Sequence, residues 1–178
     1  HPGAVMCNLL LADEINRTSS KTQSALLGVM EEGHVTVDGV THEVPKPFIV
    51  LATQNPLGTA GTQMLPESQL DRFMVKLSMG YPDKKCQVEL LRDRQTENPI
   101  DKVQQISDAE ALSQMQEKAG QVYMADSMLE YITDLTDATR EDPMITLGVS
   151  PRGALALCRM TKAKAYLSDR DYAVPEDV

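Results

Sequence analysis

The sequence predicts an α/β domain with a parallel sheet and a β-hairpin insertion, followed by an all-helical domain. Two apolar runs, Asn8–Ala12 and Phe48–Thr53, have strand length and no alternation, as strands do when helices cover both faces of a parallel sheet. Between them, Val35–Val37 and Val40–Val44 alternate on either side of Asp38-Gly39, a strong two-residue hairpin signal. Beyond Gly80-Tyr81-Pro82 the apolar residues recur only at helical spacing. The reading therefore divides the chain into an α/β domain over 1–81 and a helical domain over 82–178.

Each element has a local cause. The run Asn8-Leu9-Leu10-Leu11-Ala12 ends abruptly in Asp13-Glu14, which reads as a buried strand that emerges at the sheet edge. Ser20-Lys21-Thr22-Gln23 resembles a capping box, and Leu26, Leu27 and Met30 follow at helical spacing, predicting a helix over 20–32. The Asp38-Gly39 turn pairs Val37 with Val40 and Val35 with His42. The second strand is apolar on both faces and ends at Gln54-Asn55-Pro56, where the proline favours extended backbone at Asn55.

A loop with Gly58, Ala60 and Gly61 follows over 57–65, then a short helix from Glu67 to Arg72, and a strand from Phe73 to Met79. In the second half, Ser107-Asp108-Ala109-Glu110 and Ser127-Met128-Leu129-Glu130 match the capping-box pattern. Their apolar stripes are Ala109, Leu112, Met115 and Ala119, then Met128, Ile132 and Leu135. Ser150-Pro151-Arg152 places a cap before a proline at the first helical position, opening a helix with Ala154, Leu157, Cys158, Thr161 and Ala165 on one face. The ten methionines are scattered over these stripes and read as core filling.

Composition narrows the function. A net charge of -9 leaves no basic surplus for wrapping nucleic acid. Cys7, Cys86 and Cys158 are few, odd in number and far apart, which fits small core residues in a reducing compartment better than a disulfide framework or a metal site. His34 and His42 lack a partner at ligand spacing and read as hairpin residues. No stretch has the length of a membrane span and no leader pattern is visible, so a cytoplasmic protein is expected, with neither nucleic acid nor stable membrane insertion. The chain opens at His1-Pro2-Gly3 without methionine and closes on Val174-Pro175-Glu176-Asp177-Val178, the first turn of a helix. It is expected to be an internal piece of a longer protein.

An apolar strand that ends in adjacent carboxylates can deliver an Asp to a Mg²⁺ shell and a Glu to an attacking water. Alone it is equally a strand followed by a polar loop. The order of motifs adds more: Leu-Leu-Leu-Ala-Asp-Glu-Ile-Asn-Arg, the hairpin, Ala-Thr-Gln-Asn-Pro, Leu-Pro-Glu-Ser-Gln-Leu-Asp-Arg-Phe, and Ser-Pro-Arg-Gly. This series resembles the MoxR family of AAA+ ATPases from about Gly3 to the end of the chain.

The resemblance implies a partial AAA+ P-loop NTPase core followed by a helical lid, with ATP and Mg²⁺ as cofactors. It makes Asp13 the Walker B metal residue and Glu14 the base that orients water. Asn55 becomes the first sensor, on the water and the γ-phosphate. Arg72 becomes the arginine finger for the neighbouring subunit, and Arg152 the second sensor, facing the phosphates of its own subunit. The hairpin corresponds to the insertion before the sensor strand, usually turned toward the ring pore. Arg17 is typical of the family without an agreed role, an interface contact being as reasonable as catalysis.

Ordinary alternatives stand beside these roles. Asn55 can cap the strand turn, Arg72, next to Asp71 on a helix end, can belong to an ordinary surface ion pair, and the stem of Arg152 can cover an apolar patch.

One departure matters: G-x-x-x-x-G-K-[ST] occurs nowhere in the chain. Without those amides and that lysine the chain alone is expected to bind ATP poorly and to be inactive. In the family's sheet the strand before that loop lies between the sensor strand and the strand here read at Phe73–Met79. Three outcomes are open: those strands close up, another molecule fills the space, or the final element is displaced.

By resemblance the full-length protein is a homo-oligomeric ring, a hexamer, whose ATP hydrolysis drives chaperone-like remodelling or maturation of partners, often with von Willebrand factor A domains. The alternative is a non-enzymatic ring-assembly or scaffold module.

Overall fold

The structure is a computed structural model that describes residues 3–55, 64–95 and 98–178. The glycine-bearing part of the loop read at 57–65, and Pro56, lie outside the described residues. The chain divides into two compact units, one formed by residues up to Met74 together with Ala109–Val178, the other by Val75–Asp108.

In the first unit, β1 (Leu9–Ala12) pairs in parallel with β4 (Ile49–Ala52), placing Leu9 opposite Ile49 and Ala12 opposite Ala52. The crossover between them holds α1 (Ser20–Glu32) and an antiparallel hairpin of β2 (His34–Val37) and β3 (Val40–Glu43). The hairpin register pairs Val37 with Val40 and Val35 with His42, as the turn predicts. Asp38 (φ 51°) and Gly39 (φ 78°) are both left-handed, the geometry whose twist matches that of the flanking strands.

The helix over 20–32 forms, with a shifted cap. Ser19, not Ser20, is the N-cap, its Oγ accepting from the Thr22 amide at 3.2 Å. Gly33 closes the helix in the left-handed region at φ 72°, its amide bonding the Val29 carbonyl. Leu27 and Val29 of α1 are buried, as are Ile15, Val44 and Leu65.

Full burial of the two strands is not observed. Leu9, Leu11 and Leu51 are more than half exposed, whereas Leu10 and Val50 are partly covered. A parallel strand is buried on both faces only when helices cover both sides, and here β1 and β4 form a two-stranded sheet with one face bare. Residues 73–79 do not form the expected strand: 75–79 carry no regular structure, and Leu77 and Met79 are largely exposed. The apolar alternation there has no neighbouring strand among the described residues to supply ladder hydrogen bonds, so periodicity alone does not make it a strand.

A short α2 (Glu67–Leu70) precedes this segment. In the second unit, α3 (Lys84–Asp93) is capped by Asp83, whose carboxylate accepts from the Cys86 amide at 2.7 Å. That hydrogen bond holds the Asp83 carboxyl below its ordinary range.

Three helices complete the first unit: α4 (Ala109–Gln121), α5 (Asp126–Glu141) and α6 (Pro151–Leu167), with α4 and α5 both packed on α6. The buried face of α5 is Met128, Ile132 and Thr136, four residues apart; Leu135 of the predicted stripe is exposed. The residue before α5 is Ala125, without a side-chain cap, so Ser127 lies inside the helix and not at its cap. Residues preceding α4 include both Ser107 and Asp108, the helix starting one residue after Asp108. On α6 the expected cap is present, Ser150 Oγ accepting from the Gly153 amide at 3.0 Å.

Not everything here is helical. Tyr123 forms a parallel bridge with Tyr172, its amide donating to the Asp171 carbonyl at 2.7 Å and its carbonyl accepting from the Ala173 amide at 2.9 Å. The last turn, Pro175–Asp177, is a 3-10 helix that packs on α6. Asp177 is buried there and accepts both guanidinium nitrogens of Arg170, at 2.5 and 2.7 Å. Among the described residues, no helix is long and apolar enough to cross a membrane.

Candidate functional site

The acid pair sits where the parallel sheet ends. Thr53, one residue past β4, donates its hydroxyl to Asp13 Oδ1 at 2.5 Å, and the same oxygen accepts from the Glu14 amide at 2.8 Å. Its main chain extends the ladder: the Thr53 amide bonds the Ala12 carbonyl at 3.1 Å, and its carbonyl accepts from the Ile15 amide at 3.0 Å. Glu14 therefore turns out of the strand in a left-handed conformation, φ 48° and ψ 47°, that a non-glycine residue adopts only when its surroundings impose it. Its carboxylate meets Arg17 Nε at 3.0 Å across one turn of the short 3-10 helix Ile15–Arg17.

Asn16 is buried beneath the pair and donates from Nδ2 to the Asn55 carbonyl at 3.4 Å. The expected sensor residue thus lies at the same sheet end as Asp13 and Glu14. Among the described residues, Asn16 Oδ1 and Gln54 Nε2 are buried atoms without a hydrogen-bond partner, a costly condition.

A second cluster is assembled from α1, α2 and α6. Arg72 Nη1 lies 2.9 Å from Glu31 Oε2, and Arg152 Nη2 lies 2.5 Å from Glu31 Oε1. One carboxylate therefore serves two guanidiniums, one oxygen each. Asp71 supports the group: it accepts from Ser150 Oγ at 2.6 Å and stands 3.8 Å from Arg152 Nη1. Glu31, Asp71, Arg72 and Arg152 line a cleft of about 320 Å³ that also includes Phe73, Leu155 and Arg159. The ordinary alternative for Arg72, a surface ion pair, is present, with Glu31 as the partner.

Comparison with known proteins gives the family. Residues 1–75 match the model of the ATPase family associated with various cellular activities (AAA), and residues 137–178 match the AAA lid domain. The chain is 48% identical over 177 residues to the uncharacterized protein YeaC of Bacillus subtilis, and 37% identical over 185 residues to chaperone MoxR1 of Mycobacterium tuberculosis, covering 99% of this chain in both cases. The chain belongs to the MoxR family of AAA+ ATPases.

It spans about half the length of those relatives, 55% of YeaC and 48% of MoxR1. A MoxR protein of Methylorubrum extorquens is 26% identical over 201 residues. A crystal structure assigned to an ATPase of Cytophaga hutchinsonii superposes with a TM-score of 0.87 at 39% identity, over 97% of this chain and 55% of that one. A full-length MCM homologue of Methanopyrus kandleri shares the fold, with a TM-score of 0.62 at 22% identity, over 95% of this chain and 34% of that one.

Within this MoxR-family chain, the expected site residues fall into two groups. Asp13, Glu14 and Asn55 converge at the sheet end, while Arg72 and Arg152 converge on Glu31. Three participants carried no sequence signal strong enough to select them. Thr53 looks like one more β-branched strand residue, Glu31 like a polar helix end, and Ser150 like a cap alone; the cap also donates to Asp71.

A Mg²⁺-nucleotide fits the donor set at the first group. Asp13 has one carboxylate oxygen committed to Thr53 and is exposed, leaving the other for a metal-bound water. Among the described residues no cluster of three or more metal-ligating side chains occurs.

Proposed function

We propose that this chain supplies the water-activating and lid portions of a MoxR-type ATPase, the whole protein hydrolysing ATP with Mg²⁺ as an oligomeric ring. The observation that carries the reading is the hydroxyl of Thr53, which ties Asp13 to the backbone of Glu14 and so fixes both acids at one end of a parallel sheet. Bound Mg²⁺-ATP supplies the phosphoryl group and part of the charge neutralisation.

The protein's own groups do the rest. Asp13 would help hold Mg²⁺ through the carboxylate oxygen that Thr53 does not occupy. Glu14 takes up the proton of the attacking water, and the amide of Asn55 holds that water in line. The contact from Arg17 to Glu14 is a partly exposed ion pair, a class worth about 0–1 kcal/mol, so it does not prevent Glu14 from turning to the water.

Arg72 and Arg152 stabilise the charge that develops on the transferred group. Their shared carboxylate supports a reading in which both serve one nucleotide, so that if Arg72 reaches the site of the neighbouring subunit, Arg152 reaches it too. This differs from a second sensor that faces its own subunit's phosphates. Residues 1–81 are proposed as the core and 82–178 as the lid. Chaperone-like remodelling of partners, including von Willebrand factor A domain proteins, in a cytoplasmic hexamer is proposed on the likeness to MoxR1, which is named a chaperone.

The test is turnover in the whole protein. Glu14→Gln should retain nucleotide binding while kcat falls by about two powers of ten or more, since an amide cannot accept the proton. Asp13→Asn should instead raise the Mg²⁺ concentration needed for half-maximal rate. Equal, mild effects of both changes would contradict the assignment.

A further inference from the structure

We infer that Glu31 is a positioning residue for catalysis: it is the internal anion that holds Arg72 and Arg152 together at one point until a phosphate takes its place. The inference deepens the proposed ATPase reading and rests on it.

Helix stability does not explain Glu31. It lies in the last turn of α1, beside Glu32 and with no cation in that turn, where a negative charge meets the negative end of the helix dipole. Its carboxylate instead divides between two arginines brought by separate elements, one just past α2 and one in the first turn of α6. Two guanidiniums this close repel each other, and an anion between them removes that repulsion.

The cleft is locally cationic in a chain of net charge -9: Arg72, Arg152 and Arg159 face Glu31 and Asp71. Glu31 and Arg152 are each 44% exposed and Arg72 34%, so all three are open to a second molecule. Bidentate and forked contacts to a carboxylate are also those a guanidinium makes to a phosphate oxygen. A terminal phosphate carries more negative charge than Glu31 and offers more acceptors, so it can take over both arginines in the geometry Glu31 has set. Asp71 stays behind on Ser150 and Arg152, which keeps the α6 arginine aimed while Glu31 lets go.

The experiment is steady-state ATPase of the whole protein, in rings shown to exchange subunits. Glu31→Gln keeps the shape and loses the charge; kcat should fall about tenfold or more, with the KM for ATP changed less than about twofold. Glu31→Asp keeps the charge and should recover part of the rate. Mixing assigns the site. A Glu31→Gln subunit has an intact base and misplaced arginines, so it should regain activity beside Glu14→Gln subunits and stay inactive beside Arg72→Ala subunits.

Three results would overturn the inference. One is wild-type kcat for Glu31→Gln while Arg72→Ala is inactive. Another is recovery of Glu31→Gln by Arg72→Ala, which would place Glu31 with its own subunit's base. The third is a Glu31→Asp protein as slow as Glu31→Gln. Wild-type turnover by Arg72→Ala itself is a separate outcome, which removes the arginine part of the proposed function and this inference with it.

Discussion

Thr53 donates its hydroxyl to the Asp13 carboxylate over 2.5 Å, linking the carboxyl ends of the two parallel strands through one side chain. Because the same oxygen accepts from the Glu14 amide at 2.8 Å, the direction of the acid pair depends on the strand that does not carry it. Thr53→Val preserves shape and removes both hydrogen bonds. Turnover of the whole protein should fall about 10- to 100-fold, and denaturant unfolding should show a loss of about 0.5–1.5 kcal/mol, since both hydrogen bonds are exposed and water meets the released groups. Thr53→Ser should restore most of both. A valine variant of wild-type activity would show that the sheet alone orients the acids.

The lid loop gives a steric prediction. A Cβ on Gly148 would stand 2.7 Å from Arg140 Cα and 2.6 Å from its Cγ. Rotating the arginine side chain relieves the second contact and leaves the first. Arg140 cannot retreat freely either, since its Nε donates to the Val149 carbonyl at 2.8 Å. Gly148→Ala should therefore destabilise the chain by about 1–3 kcal/mol in thermal or denaturant unfolding. An unchanged midpoint would mean that the loop shifts without cost.

What the residues disclosed in advance follows from how local each signal is. The Asp38-Gly39 turn fixed the hairpin register because both turn residues need φ > 0, and Ser150-Pro151 fixed the start of α6 because cap and proline act within one turn. One capping signal shifted for a related reason: Ser19 and Ser20 are both able to cap α1, and only the backbone selects between them. The strand read at Phe73–Met79 failed because a strand needs a neighbour, which period cannot supply. The acid pair was visible as contiguous residues. Its tether Thr53 lies 40 residues from Asp13, and Glu31 meets Arg152 across 121 residues, so neither contact has a sequence signature.

The end of the chain carries a pH-dependent contact. Hydrogen bonds from Arg170, and from the Val174 amide, hold the Asp177 carboxyl at about 2, below its ordinary value of 3.8. A carboxyl depressed in the folded state adds stability above its unfolded value and loses it as pH falls through the folded value. The stability of wild type over Asp177→Asn should thus be full at neutral pH and decline between about pH 4 and pH 2. Thermal unfolding of both proteins across that range measures it. A difference that stays constant down to pH 2 would mean that packing of the Pro175–Asp177 turn, not the ion pair, secures this end.

The most direct measurement of the central claim, that the acid pair of one subunit works with the arginine pair of its neighbour, is a mixing experiment with the whole protein. Glu14→Gln subunits keep their arginines, and Arg72→Ala subunits keep their base. Each protein alone should be inactive. If the arginines serve the neighbouring subunit, combining the two in rings shown to exchange subunits should restore ATP turnover at the mixed interfaces, to a fraction set by the mixing ratio. A mixture that remains inactive at every ratio would contradict the claim and place Arg72 in the service of its own subunit's nucleotide or of the fold.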